Sequence, residues 1–254
     1  MTKNKIFIGT SGWNYWHWKG IFYPESLKSE ELLLFYAQHF STVEINSSFY
    51  HLPREKTFLN WQEKVPNNFL FSVKVWRRIT HLKKLKDIKK DLKTFWQRAL
   101  ALKEKLGPLL FQFPPSFKAN KITIKRLERL GKFIRGDLCL NSYQFFAFEF
   151  RHESWFKDEI YKILKKYNFA LCWADTPSYP YQEVITANYL YLRLHGHEKL
   201  YVSKYTQKQL RDYSKKIEKF LKNKGKCVYV YFDNDAYGYA IENALELKKM
   251  LNLK

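Results

Sequence analysis

Charged and amide side chains recur at one place in this sequence, the end of each strand-like apolar run. In the run 145–151, Phe146, Phe148 and Phe150 fall on one parity, whereas Glu149 and Arg151 fall on the other. Side chains of a strand alternate between its two faces, so the run predicts one apolar face and one face that ends in an anion and a cation. Because buried charges are costly unless they are paired or hydrogen-bonded, this charged end indicates a polar pocket.

The same arrangement recurs along the chain and provides a set of candidate site residues. The run 189–196 sets Arg193 and His195 against an apolar face, and the runs ending near residues 46, 75, 113, 175 and 233 also end in polar groups. The first run, 6–11, ends in small and hydroxyl residues. The polar residues at these strand ends are Glu44, Asn46, Lys74, Gln112, Glu149, Arg151, Asp175, Arg193, His195 and Asp233.

The strand-like runs alternate with helical patterns, and this alternation predicts a parallel sheet covered by helices. The predicted helices cover residues 29–40, 54–65, 87–106, 122–135, 157–167, 206–223 and 237–251. No linker divides the chain, so we expect residues 1–254 to form a single α/β domain, a (β/α)8 TIM barrel. A doubly wound open sheet is the alternative, but Gly9 and Gly12 do not form its usual glycine-rich dinucleotide turn.

In a barrel the carboxyl ends of all strands meet at one mouth, where active sites lie. The predicted roles follow from the side-chain types: Lys74, Arg151 and Arg193 bind an anion, whereas His195 and Glu149 transfer protons. We expect the remaining candidates to bind and orient the substrate; they are Glu44, Asn46, Gln112, Asp175, Asp233, Asn234, Tyr50 and Trp13. His81 and His152 follow strand ends and can line the rim.

The same ring of polar side chains also suggests a catalytic metal. Carboxylates and a histidine in one ring are suitable ligands for Mg²⁺ or Mn²⁺. Only His195 lies on the inward parity, which disfavours zinc, and three cations in the same ring repel any metal ion. A divalent metal is therefore not favoured, and no residue is assigned as a metal ligand.

The charge balance is strongly basic. The chain of 254 residues has 45 Lys and Arg against 24 Asp and Glu, a formal net charge of +21, and 19% of its residues are aromatic. Lysine scattered over solvated helix faces explains such a charge without a function, and a polyanion-binding surface is the alternative explanation. Nucleic-acid binding therefore stays open as a second hypothesis.

The cysteines and the N-terminus indicate a soluble intracellular protein. Cys139, Cys172 and Cys227 form neither a CxxC pair nor an even set, so we expect buried thiols in a reducing cytoplasm. Residues 1–5 lead directly into a strand without an apolar signal core, and no run is long enough to span a membrane.

Several segments together resemble the YecE-like family, known as domain of unknown function 72. They are residues 9–13 (GTSGW), 18–24 (WKGIFYP), 43–50 (VEINSSFY), 73–74 with 79–81, 106–108 with 112–114, 148–151 (FEFR) with 154–155, 192–196 (LRLHG) and 232–234 (FDN). The resemblance covers nearly the whole chain and implies a TIM barrel, but no established reaction. It also suggests kinship, at the level of the fold, with the xylose-isomerase and endonuclease IV class. Those enzymes bind metals through clusters of His, Glu and Asp, and this ring has too few histidines to match them. The family often has Asn at the position of Asp233, which argues against an essential acid there.

The favoured hypothesis is that the protein is an enzyme: a hydrolase, a lyase or an isomerase. It would use general acid–base chemistry on a small anionic substrate, which includes phosphorylated compounds. One alternative is a nucleic-acid-binding protein or nuclease that uses the basic surface. The other is a non-catalytic sensor that binds its ligand in the same cavity.

Overall fold

The computed structural model describes residues 5–138 and 144–253, and the strands in this part of the chain are all parallel. They form a five-stranded sheet of order β2-β3-β4-β5-β6 and a four-stranded sheet of order β1-β9-β8-β7. The predicted α/β class with parallel strands is confirmed. In chain order the strands are β1 (Lys5–Thr10), β2 (Thr42–Ile45), β3 (Leu70–Lys74), β4 (Leu106–Gln112), β5 (Phe146–Glu149), β6 (Ala170–Leu171), β7 (Trp173–Asp175), β8 (Tyr189–Leu194) and β9 (Cys227–Phe232).

Helices connect the strands. The α-helices are α1 (Leu32–His39), α2 (Ser47–Tyr50), α3 (Glu55–Glu63), α4 (Lys89–Ala99), α5 (Lys121–Phe133), α6 (Asp158–Lys166), α7 (Gln207–Lys222) and α8 (Tyr239–Met250). Shorter 3₁₀ segments cover Trp16–Trp18, Leu100–Lys105 and Glu153–Trp155, and π-helical segments cover Arg78–Leu82 and Ile134–Leu138. Thr206 caps α7 in a capping box with Gln209.

The helix predicted over 87–106 is wrong at its C-terminal end. The α-helix ends at Ala99, a 3₁₀ segment follows, and Lys103 adopts a φ of 52°. Lys105 is buried, and its Nζ donates to the carbonyl oxygens of Gln62 and Val65 at 2.7 Å each. These bonds hold the chain against the end of α3, and β4 begins at the next residue.

The two faces of the strands pack into different clusters, as the alternating pattern predicts. Phe111 and Phe148 lie on the face that packs against the helices. Their neighbours Leu110 and Ala147 lie on the opposite face, together with Tyr191 and other tyrosines of β8 and β9. These rings fill the space beneath the polar ends of the strands, so the polar groups above them are closed off from that side.

The sheets meet at two places. An isolated parallel bridge joins Ser11 to Glu44, and the backbone N–H of Gly12 donates to the carbonyl of Glu44 at 2.8 Å. The second place is Cys172, which separates β6 from β7 and whose N–H donates to Phe148 O at 2.9 Å. The strand-like run that ends near residue 175 is therefore interrupted, because β6 pairs with β5 whereas β7 pairs with β8.

Within residues 5–138 and 144–253, no helix has the length and apolar character needed to cross a bilayer. Cys172 and Cys227 are buried, as predicted, whereas Cys139 lies outside the described residues.

Gly9 tests the contact between β1 and β2. A Cβ built on Gly9 lies 2.1 Å from the backbone oxygen of Thr42, so we expect Gly9→Ala to lower the free energy of unfolding by about 1–3 kcal/mol. Gly136→Ala is the control, because a Cβ there meets nothing within 4 Å, and we expect it to be neutral or slightly stabilising. Urea unfolding measures both, and equal midpoints for Gly9→Ala and the wild type would contradict the close packing.

Candidate functional site

The guanidinium of Arg193, on β8, joins carboxylates from β2, from β5 and from the residue that follows β9. Its Nε donates to Glu44 Oε2 at 3.1 Å, and its Nη1 donates to Glu149 Oε2 at 2.7 Å. Its Nη2 donates to Glu44 Oε1 at 2.9 Å and to Asp233 Oδ2 at 3.0 Å. Only 1% of Arg193 is exposed. Residues that are 189 positions apart in the sequence, Glu44 and Asp233, therefore bind one buried cation, and that cation links both sheets.

Hydroxyl groups complete the surroundings of Glu44. Ser11 Oγ donates to Glu44 Oε1 and Tyr191 OH donates to Glu44 Oε2, each at 2.5 Å. Asn46 Nδ2 donates to Ser11 Oγ at 2.5 Å. Ser11 and Tyr191 were not predicted as site residues. The signals that identify them are the hydroxyl at the end of the first strand and the parity that Tyr191 shares with Arg193.

Glu149 uses its two oxygens for two different arginines. Its Oε1 accepts from Arg151 Nε at 2.7 Å, and its Oε2 accepts from Arg193. Burial alone would raise the pKa of Glu149, but the charges of Arg151 and Arg193 outweigh burial and hold the pKa well below its usual range. Glu149 is therefore an anion at neutral pH, and both of its oxygens are engaged.

His195 lies beside this network, beneath Tyr201. Its Nδ1 is 2.9 Å from Asp233 Oδ2, and its Nε2 is 3.3 Å from Arg193 Nη1. The ring of Tyr201 packs edge-on at 5.7 Å, and His195 is 1% exposed. Burial would raise the pKa of Asp233, but Arg193 and His195 lower it below its ordinary value. The structure thus places a histidine–carboxylate pair directly behind an aromatic side chain.

A cavity of about 280 Å³ lies beside the network and reaches it through Arg151. Three of its lining side chains, Lys74, Arg77 and Arg151, are cationic, and no Asp or Glu is among the described residues that line it. The described residues that line it are Phe49, Tyr50, Lys74, Arg77, His81, Gln112, Arg151 and Tyr201. The cavity therefore has the charge that favours a small anion.

Burial and positive charge shift two titratable groups of this cavity. Desolvation and the charge of Arg193 lower the pKa of Lys74 to about 8, although Glu149 opposes the shift. Desolvation, with the charges of Lys74 and Arg151, lowers the pKa of His81 to about 4. At neutral pH His81 is therefore uncharged, and a measurable fraction of Lys74 is neutral.

Three predicted site residues lie elsewhere. Asp175 Oδ1 lies 3.0 Å from His197 Nδ1. Burial raises the pKa of Tyr213 on α7, and the charge of Asp175 raises it further. The side chain of Asp175 belongs to the face of Trp173 and Leu171, which packs against the helices, so its placement with the other polar strand ends is wrong. Asn234 donates to Ser203 O and to Asn243 Oδ1, both at 3.0 Å.

Trp13 is the third of these residues. Its ring packs edge-on against Trp61 at 5.2 Å, and it lines a different cavity, one that also includes Asn46. The loop tryptophan therefore packs against protein rings. The predicted binding residues Tyr50 and Gln112 do line the 280 Å³ cavity.

Arg77 and Tyr201 line the cavity but were not predicted as site residues. Arg77 follows Lys74 by three positions, just beyond the end of β3, and this spacing is a usable signal. Tyr201 lies in a loop between β8 and α7 with a φ of 63°, and no periodic pattern marks such a position.

Within residues 5–138 and 144–253, no three His, Cys, Asp or Glu side chains are arranged to hold a metal ion. The carboxylates nearest one another, Glu44, Glu149 and Asp233, bind the guanidinium of Arg193 instead.

Comparison with known proteins identifies relatives over nearly the whole chain. The model of the family described as protein of unknown function DUF72 matches residues 7–254. The UPF0759 protein YunF of Bacillus subtilis is 28% identical over 98% of this chain and 95% of its own length. A crystal structure of a DUF72 family protein from Thermotoga maritima is 32% identical and has a TM-score of 0.85, covering 98% of this chain and 99% of that one. A DUF72 family protein from Enterococcus faecalis is 25% identical with a TM-score of 0.82, covering 98% and 96% of the two chains.

The buried network makes a stability prediction. Arg193→Met leaves three carboxylates without their cation, so we expect the free energy of unfolding at neutral pH to fall by about 3–5 kcal/mol. Arg211→Met, on the exposed surface of α7, is the control and should have little effect. Urea denaturation of both variants measures the difference.

The pH dependence of the stability lost in Arg193→Met shows whether the loss comes from the charge pairing or from side-chain packing. Glu149 and Asp233 have lowered pKa values in the folded protein, so the stability they contribute is complete above their ordinary pKa values of 4.5 and 3.8. That stability is lost as the pH falls through the folded values. The difference in the free energy of unfolding between the wild type and Arg193→Met should therefore become smaller at acidic pH. A difference that is constant with pH would contradict the electrostatic explanation.

Proposed function

We propose that this protein, which belongs to the DUF72 family, acts on a small anionic substrate bound in the cationic cavity. The description of the family assigns no reaction, so the proposal is based on the cavity. The family predicted from the sequence motifs is confirmed by the match over residues 7–254. The observation that supports the proposal is the lining of the cavity, where the part of the chain that the structure describes places Lys74, Arg77 and Arg151 but no carboxylate.

The cations divide into two groups with different roles. Arg193 directs its donors to Glu44, Glu149, Asp233 and Ser11, so we assign it to the frame of the site. Arg151 lines the cavity, and its Nε donates to Glu149, so its terminal nitrogens are available to bind an anion. We propose that Arg151, with Lys74 and Arg77, holds the substrate, phosphorylated compounds included.

The contacts of each side chain change the candidates for proton transfer. Both oxygens of Glu149 bind arginines and its pKa is well below its usual range, so we propose that Glu149 orients Arg151 in place of the proton-transfer role predicted from sequence. Lys74, with its pKa of about 8, is the stronger candidate in the cavity. His195, paired with Asp233 behind Tyr201, is a second candidate once Tyr201 moves. These roles suit a hydrolase, lyase or isomerase.

We also propose that the two sheets close into a single (β/α)8 barrel comprising one domain over residues 1–254. The Ser11–Glu44 bridge, the bond from Cys172 N to Phe148 O and the reach of Arg193 across both sheets support closure. A barrel brings the ends of β2, β3, β5, β8 and β9 to one mouth. A cytoplasmic location remains a prediction from the sequence.

Titration with oxalate and inorganic phosphate, followed by calorimetry, tests anion binding. We expect the wild type to bind, and Arg151→Met to weaken binding by about tenfold or more, because a charged hydrogen bond contributes roughly 1.5–3 kcal/mol. Arg77→Met should weaken binding without disturbing the fold, since Arg77 is exposed and outside the buried network. Arg211→Met is the control and should bind like the wild type.

Equal affinity of Arg151→Met, Arg77→Met and the wild type would contradict the proposal, as would no binding by the wild type. Binding of metabolite anions without any product detected by mass spectrometry would favour the ligand-sensor alternative over the enzyme.

A separate basic cavity favours nucleic-acid binding as the second candidate function. It measures about 380 Å³ and lies between α4 and α5 on a floor formed by Leu130 and Phe133. Among residues 5–138 and 144–253, Asp87 is the one acidic residue that lines it, and the basic residues are Lys86, Lys89, Lys90, Arg126 and Arg129. Clustered basic side chains over an aromatic ring are typical of phosphate-backbone contacts.

Charge reversal tests this second candidate. We expect Lys89→Glu/Arg129→Glu to weaken binding of a single-stranded oligonucleotide and to reduce the salt dependence of the affinity by roughly two contacts. Lys162→Glu/Lys208→Glu is the matched control, because both residues are exposed on other helices and the net charge changes equally. Fluorescence anisotropy across salt concentrations measures both, and identical losses in the two double variants would assign binding to net charge alone.

A further inference from the structure

We infer that Lys74 is a nucleophile that forms an imine with substrates whose carbonyl carbon lies next to a carboxylate or within reach of a phosphate. The inference deepens the proposed function, on which it rests, by naming a reactive atom and a substrate class. The contacts of the Lys74 side chain differ from those of Lys105 and Arg193, which donate to oxygen atoms of the protein.

The amine of Lys74 has no polar partner in the part of the chain that the structure describes. Its Nζ lies 4.5 Å from the centre of the Phe49 ring, and no hydrogen bond or ion pair of the described residues engages it. Lys105 shows the opposite arrangement, since its buried Nζ donates to two backbone carbonyls at 2.7 Å. A lysine held for stability is paired in this way, whereas Lys74 has no such partner among the described residues and lines the cavity.

The surroundings also keep part of the amine unprotonated. Lys74 lies at the end of β3, and burial together with Arg193 on β8 lowers its pKa to about 8, against the pull of Glu149, Glu44 and Asp233. At pH 7 about a tenth of the lysine is then neutral, compared with less than about a thousandth for an ordinary lysine. The neutral amine is the form that attacks a carbonyl, and desolvation beside another cation is a known means of producing it.

The other cations of the cavity fit the acid group of such a substrate. Arg151 and Arg77 line the same 280 Å³ space, so a carboxylate or phosphate bound to them lies in the same small volume as the Lys74 amine. Tyr201 also lines the cavity, and burial raises its pKa, so its hydroxyl is protonated at neutral pH and is a suitable proton donor. A volume of this size accepts a compound of a few carbon atoms.

The proposed step balances without a cofactor. The lone pair of Nζ attacks the carbonyl carbon, a C–N bond forms, and the carbonyl oxygen takes a proton from Tyr201 or water. The nitrogen releases a proton, which restores the Tyr201 hydroxyl or the water, and the hydroxyl group then leaves as water with a proton taken from solvent, so that a protonated imine remains on Lys74. This cation withdraws electrons from the neighbouring carbon, so C–H or C–C bonds there become easier to break. The class of reaction indicated is therefore a lyase or an isomerase rather than a hydrolase.

Reductive trapping tests the inference. The full chain is incubated with pyruvate and borohydride, and the position of the reduced adduct is mapped by peptide mass spectrometry. We expect the wild type to acquire the adduct at Lys74 at least tenfold more than at any other lysine, and we expect excess oxalate to suppress it. The trapping rate should rise with pH through about 8, as the amine deprotonates. Lys74→Arg keeps the charge but cannot form an imine, so it should bind oxalate and acquire no adduct at position 74.

The outcomes separate this inference from the proposed function. A wild type that binds oxalate but shows no preferred adduct at Lys74, with pyruvate or with glyoxylate, overturns the imine and leaves the anion site intact. A wild type that binds neither oxalate nor phosphate removes the anion site, and the imine with it. Equal labelling of Lys74 and surface lysines also overturns the inference, because it shows no activation of this amine.

Discussion

The buried pairing of Arg193 with three carboxylates is the interaction on which the rest of the site depends. The guanidinium binds Glu44, Glu149 and Asp233, which come from β2, β5 and the residue after β9. Each carboxylate would be strongly destabilising in this interior without the cation, and so would the cation without them. The planar fork of arginine also fixes directions, so the strand ends are held at defined distances across both sheets.

This pairing divides the charged residues of the interior into a saturated group and an available group. Arg193 and Glu149 have used their hydrogen-bonding capacity on protein partners, whereas Lys74 has no such partner among the described residues and Arg151 is only partly engaged. The charges of the saturated group act on the neighbouring side chains, and the available group, Lys74 and Arg151, lines the cavity. Burial is the main cause of the lowered pKa of the Lys74 amine; the charge of Arg193 adds to the shift, and the carboxylates around Arg193 oppose it.

Strand alternation made much of this arrangement predictable. Glu44, Glu149 and Arg193 each lie opposite an apolar face near a strand end, and parallel strands bring such ends together. Asp175 follows the same composition rule but shares the parity of Trp173, and it lies on the helix-facing side, so side-chain type without strict parity was misleading. Which cation is paired and which is free could not be predicted, because it depends on distances of a fraction of an ångström between side chains far apart in the sequence. The loop that places Tyr201 has no periodic pattern at all.

Side-chain NMR of arginine and lysine, recorded with and without phosphate, tests the division between frame and cavity most directly. The account predicts resolved, slowly rotating Nη groups for Arg193 that do not shift when phosphate is added, while the Nε signal of Arg151 and the Nζ signal of Lys74 do shift. A freely rotating Arg193 whose signals move with phosphate, beside unchanged signals from Arg151 and Lys74, would contradict it.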